Sequence, residues 1–135
     1  MKVLSTRAHG IMDYLVGIIL IAAPFILGFD RGGAETWVPI IVGAMILLQN
    51  LMTNWEVGVF RAMSANMHLN MDYLIGIFLA ASPWIFNFDD YVYLPHLLVG
   101  IVILLQAMMT RVVPEHGAVT RQPYRGNSMN HGHTH

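Results

Sequence analysis

His9-Gly10-Ile11-Met12-Asp13-Tyr14-Leu15-Val16-Gly17-Ile18 returns later in the chain as His68-Leu69-Asn70-Met71-Asp72-Tyr73-Leu74-Ile75-Gly76-Ile77. The agreement continues outward. Ala22-Ala23-Pro24-Phe25-Ile26 matches Ala81-Ser82-Pro83-Trp84-Ile85, and Phe29-Asp30 matches Phe88-Asp89. Val42-Gly43 matches Val99-Gly100, Leu47-Leu48-Gln49 matches Leu104-Leu105-Gln106, and Met52-Thr53 matches Met109-Thr110. The matches include His, Asp, Pro and Gln as well as aliphatic residues, so one unit has been written twice. The first copy covers residues 1–56 and the second 68–113, joined by a connector at 57–67.

Each copy holds two long apolar blocks. They run at 10–28 and 37–53, then at 69–87 and 92–110. Each block is about 17–20 residues, enough for an α-helix to cross roughly 30 Å of hydrocarbon. Of the 135 residues, 56% are hydrophobic and 11% charged, which leaves too little polar surface for four buried core helices of a soluble domain. The fold class expected is all-α: a bundle of four transmembrane helices built from two parallel two-helix repeats. The pseudo-twofold axis of such repeats lies along the membrane normal.

Lys2 and Arg7 precede the first block, and Ala22-Ala23-Pro24 lies near its end. This is a poor signal-peptide pattern, because Asp13 interrupts the apolar run and a near-copy sits in mid-chain. The block is read as retained. Lys2, Arg7, Arg61, Arg111, Arg121 and Arg125 flank one side of the spans, whereas the other two loops carry Arg31 with Asp30, Glu35, Asp89 and Asp90. The positive-inside rule puts both termini and the connector in the cytoplasm. Trp37, Trp84, Tyr91 and Tyr93 then form an outer aromatic belt, with Trp55 and Phe60 at the inner edge. The segment 54–67 is expected to lie along the inner surface as a short amphipathic helix.

Several chemistries are excluded. Without cysteine the chain forms no disulfide and performs no thiolate or paired-thiol redox chemistry. A formal net charge of −1 gives no basic surface for nucleic acid. No catalytic triad, phosphate loop or dinucleotide fingerprint is present, so no catalytic residue is assigned and an enzyme is not expected.

Ser82-Pro83-Trp84, in the first helix of a two-helix unit, resembles the signature of the SPW repeat family of small bacterial and archaeal membrane proteins. The resemblance covers roughly residues 5–113. In the first copy Ala23-Pro24-Phe25 stands in place of the signature. What the resemblance implies is a location in the prokaryotic cytoplasmic membrane and paired spans, with no established activity. Physically, Pro24 and Pro83 are expected to kink or end their helices, and Phe25 and Trp84 to anchor at the interface.

The residues with most chemical content are polar. His9 with Asp13, and His68 with Asp72, are spaced i, i+4 and share a helix face. Gln49 and Gln106 lie about one turn inside the same edge on the antiparallel spans, with Thr53 and Thr110 one turn later. All eight are expected in one inner-leaflet layer. An aspartate within a span costs roughly 2.5–3.5 kcal/mol to insert, so it faces the bundle interior and finds a partner. Three readings stay open. The cluster fixes helix register; or Asp13 and Asp72 form a proton or ion site of a small transporter; or His9, His68, Asp13 and Asp72 bind a divalent metal, His9 and His68 alternatively flanking a haem. The leading expectation needs no cofactor: a structural or assembly module whose partners are the lipid bilayer and further copies of itself.

Gly17 and Gly76, one turn beyond the aspartates, are expected to admit close helix approach, as are Gly43 and Gly100 on the other spans. His96 has no counterpart, since Pro39 holds its place, and it is expected to hydrogen-bond at the outer interface. The tail 114–135 is polar and expected to be disordered. Its end, Asn130-His131-Gly132-His133-Thr134-His135, can hold Cu, Ni or Zn weakly, although a solvated tail is the plainer reading.

Overall fold

The computed structural model describes residues 3–111. The readings of the tail at 114–135 lie outside the described residues. Among those described, the fold is all-α, with four helices: α1 (Thr6–Ile26), α2 (Ala34–Met52), α3 (Ala65–Ile85) and α4 (Leu94–Met109). α1 and α2 are long and apolar enough to cross a membrane, while α4 is apolar but shorter. α3 matches α1 in length at 21 residues but carries Asn66, His68, Asn70, Asp72 and Ser82.

α1 and α3 each start four residues before their apolar blocks, and the capping residues explain why. Ser5 and Ser64 hold equivalent places in the repeat. Their hydroxyls accept the backbone N–H of Ala8 and Met67, each at 3.1 Å. Each cap satisfies one orphan donor of the first turn and brings His9 and His68 inside the helix. The other ends are equally matched. Gly28 (φ 71°) and Asn87 (φ 56°) take the left-handed conformation that glycine and asparagine tolerate. The Phe29 and Phe88 amides then close back on the carbonyls of Pro24 and Pro83, at 2.9 and 2.8 Å.

Within each repeat two helices pack tightly, α1 on α2 and α3 on α4. The expected glycines make the approach possible. A methyl group at Gly43 would stand 2.6 Å from the Gly17 carbonyl oxygen, and one at Gly100 2.7 Å from that of Gly76. The two hairpins meet around a core of Leu20, Val38, Val42, Ile46, Ile75, Leu79 and Ile103. This core draws on all four helices, so it joins the repeats as well as filling them.

The connector departs from expectation. No helix forms between Met52 and Ala65. The chain instead folds under α1 as a tight loop. A Cβ at Gly58 would run into the Thr53 carbonyl, and one at Gly10 into Val57. Tyr14 donates its hydroxyl to the Val57 carbonyl at 2.7 Å, and Thr6 bonds the Glu56 carboxylate. An amphipathic surface helix would forgo these contacts. Trp55, expected in the inner aromatic belt, is buried in the loop, whereas Phe60, Trp37, Trp84, Tyr91 and Tyr93 are exposed.

Candidate functional site: a crosswise His–Asp ring

All eight residues of the predicted polar layer are buried. Four of them close a ring. The Nε2 of His9 lies 3.1 Å from Asp13 Oδ2 and 2.9 Å from Asp72 Oδ2. The Nε2 of His68 lies 2.8 Å from Asp13 Oδ2 and 3.2 Å from Asp72 Oδ2. The i, i+4 spacing thus puts each pair on one face, but the shorter contact of each histidine is to the aspartate of the other repeat.

The surroundings continue the crossing. His9 Nδ1 meets Thr110 Oγ1, and His68 Nδ1 meets Thr53 Oγ1, both at 2.6 Å. Each threonine hydroxyl donates to the carbonyl four residues back, Thr53 to Gln49 at 2.6 Å and Thr110 to Gln106 at 2.5 Å. A hydroxyl has one proton. With that proton engaged, the oxygen accepts, so Nδ1 of both histidines carries hydrogen. Backbone bonds seal the same junctions. The Leu4 N–H donates to Met109 and the Arg111 N–H to Leu4; in the equivalent pair, Met63 donates to Met52 and Asn54 to Met63.

Proton counting follows from this geometry. With Nδ1–H fixed, each Nε2 offers a lone pair unless it too is protonated. Four close N···O contacts between two Nε2 and two carboxylates then require two protons shared among the four atoms. Two protons also make the ring formally neutral, the condition under which it is least costly to bury.

The cover over the ring is not symmetric. Trp55 stands against both imidazoles, with ring centroids 5.3 Å from His9 and 4.1 Å from His68. Its indole N–H donates to Asn50 Oδ1 at 3.1 Å, and Asn50 Nδ2 donates to the Gly10 carbonyl at 2.7 Å. The corresponding places in the second repeat, Leu69 and Ala107, are apolar and buried. Gln49 donates to Asp72 Oδ1 at 2.9 Å and to the His68 carbonyl at 3.3 Å. Gln106 sits in the layer as expected, yet its amide nitrogen and oxygen have no partner among the described residues.

The alternative of a haem flanked by His9 and His68 does not fit. The His9 and His68 rings stand 5.5 Å apart at 82°, and both carboxylates contact both Nε2 atoms. The space a porphyrin needs is occupied by Asp13 and Asp72.

At the other end of the bundle, His96 is buried between Phe29 and Phe88 rather than interfacial. Its Nε2 donates to the Glu35 carbonyl at 3.0 Å. That carbonyl lies four residues before Pro39, which has no N–H to give it, so the imidazole replaces the missing helix bond. Ser82 does the same one residue before Pro83. Its hydroxyl donates at 2.7 Å to the Leu79 carbonyl, the acceptor Pro83 leaves free. Trp84 is half exposed beside Tyr93, and Phe25 is exposed.

Two matched helical hairpins exchanging hydrogen bonds crosswise define an internally duplicated all-α bundle. The chain belongs to the SPW repeat domain family, whose model matches residues 7–110. Family membership and the two long apolar helices together indicate membrane association. No curated protein and no solved structure matches the chain.

Proposed function

We propose that the chain is an integral membrane protein in which all four helices cross the bilayer, with both termini and the connector cytoplasmic. It works as a non-catalytic membrane module whose two hairpins are clasped by the inner polar ring. The observation that carries this reading is the inversion of polarity. Ile11, Leu15, Ile18 and Ile19 of α1, Ile41, Met45 and Leu48 of α2, Leu74 and Ile77 of α3, and Leu98, Leu105 and Met108 of α4 are exposed. His9, Asp13, Gln49, Thr53, His68, Asp72 and Thr110 are buried. Lipid accepts such a perimeter and water does not. The Lys and Arg asymmetry sets the orientation, and lipid is the partner the perimeter requires.

The absence of cysteine makes the topology simple to test. Single substitutions Asp30→Cys and Asp90→Cys should react with an impermeant maleimide in intact cells, and Arg61→Cys only after permeabilisation. Release of the protein by alkaline carbonate, or equal labelling of all three positions in intact cells, would overturn the reading. For the clasp, Asp13→Asn with Asp72→Asn should lower the thermal midpoint in detergent. An unchanged midpoint would argue against it.

A further inference from the structure

We propose that the His9–Asp13–His68–Asp72 ring is a binding site for one divalent first-row transition-metal ion. The inference deepens the clasp reading and rests on the same ring. Four potential ligand atoms, two imidazole nitrogens and two carboxylate oxygens, lie within 4.8 Å of one another. They alternate around a ring with edges of 2.8–3.2 Å. Edges near 3 Å put the middle of the ring roughly 2 Å from its corners, the usual metal–nitrogen and metal–oxygen distance for such ions. Two carboxylates balance a 2+ charge, so the ion replaces the two protons the ring otherwise holds.

The outer contacts fit the same role. A metal-bound histidine commonly donates its other ring N–H to a fixed acceptor, which sets the tautomer and aims the lone pair. Both histidines do this, through Thr53 and Thr110, and both hydroxyls are themselves fixed on helix carbonyls. Gln49 holds the second oxygen of Asp72. Imidazole ligands select against Mg and Ca, which take oxygen donors, and favour Zn, Co, Ni or Cu.

Trp55 supplies an internal reporter. Its ring touches His68 and His9, whereas Trp37 and Trp84 lie near the opposite helix ends. Trp84 is 16 residues beyond His68, about 24 Å along α3.

The test uses the full chain in detergent, with His116→Asn, His131→Asn, His133→Asn and His135→Asn removing the tail histidines from the count. The EDTA-stripped protein is titrated separately with Zn(II), Co(II) and Cu(II) and then desalted. One retained equivalent per chain is expected, with Cu(II) quenching an emission component that Trp55→Phe removes. Asp13→Asn with Asp72→Asn should weaken retention at least 100-fold. Thr53→Val with Thr110→Val keeps all four ligands and should weaken it about 10- to 100-fold. If none of the three ions is retained by the tail-substituted protein, or if a retained ion survives His9→Gln with His68→Gln, the proposal is overturned. The first result decides even if ring variants fail to fold. No retained metal, together with a lowered midpoint for the double aspartate variant, sinks the metal site and keeps the clasp. Retained metal with an unchanged midpoint does the reverse.

Discussion

The first repeat surrounds the ring with hydrogen-bonding groups that the second repeat does not reproduce at Leu69 and Ala107. Gly10, Asn50 and Trp55 form a hydrogen-bonded lid on one side, where Leu69 and Ala107 stand in the places of Gly10 and Asn50 on the other. The amide nitrogen of Gln49 donates twice while the amide of Gln106 is idle among the described residues. The ring itself is nearly symmetric across the same axis. Duplication has kept what both halves must supply together and let drift what each supplies alone.

The comparison breaks most sharply at the aspartates. Asp13→Ala and Asp72→Ala each remove two of the four ring contacts and one of the two carboxylates that balance the buried imidazoles, and each should cost about 3–5 kcal/mol. Asp72→Ala should cost more, since it also strands Gln49; denaturation in detergent measures both. Next come the glycines. Gly43→Ala and Gly100→Ala push a methyl group against backbone, so each should cost about 1–3 kcal/mol by the same assay. Equal losses would mark the two hairpins as equivalent.

His96 and Pro39 give an effect of about 1–2 kcal/mol with an internal control. His96→Leu should destabilise the protein, and Pro39→Ala in the same background should recover much of the loss by restoring an amide to the Glu35 carbonyl. Smaller still, Gln49→Leu should cost about 1 kcal/mol and Gln106→Leu nothing or less. A loss at Gln106 equal to that at Gln49 would show the amides to be equivalent in solution. Last, Ser82→Ala should cost about 0.6 kcal/mol, and Ala23→Ser should return a similar amount in the first repeat. Thermal midpoints of the pair decide whether the hydroxyl matters only as the donor that proline lacks.

Much of this was legible before any coordinates. Helix number, the doubling, the glycine approaches and the membership of the polar layer all follow from spacing along single helices. The crosswise pairing does not. Spacing says that His9 and Asp13 share a face, but which aspartate lies closer depends on how two hairpins pack. Trp55 departs from the expected belt although an aromatic residue just past an apolar block normally marks the interface; Gly10, opposite it, is the sequence signal for a close approach. Ser5 and Ser64 were legible caps, obscured because hydropathy ends where lipid ends and the helices continue. The idle amide of Gln106 had no signal in a Leu-Leu-Gln run shared with Gln49.

The crossing of bonds between repeats has a consequence for what counts as a subunit. Of the polar layer, a lone hairpin would carry one histidine, one aspartate, one glutamine and one threonine, and the ring contacts of that histidine to an aspartate and a threonine across the axis would be missing. Residues 1–56 and 57–135 produced as separate chains should therefore co-purify, and neither should be stable in the bilayer without the other. In quaternary terms the chain is a dimer of hairpins made obligate by a covalent link.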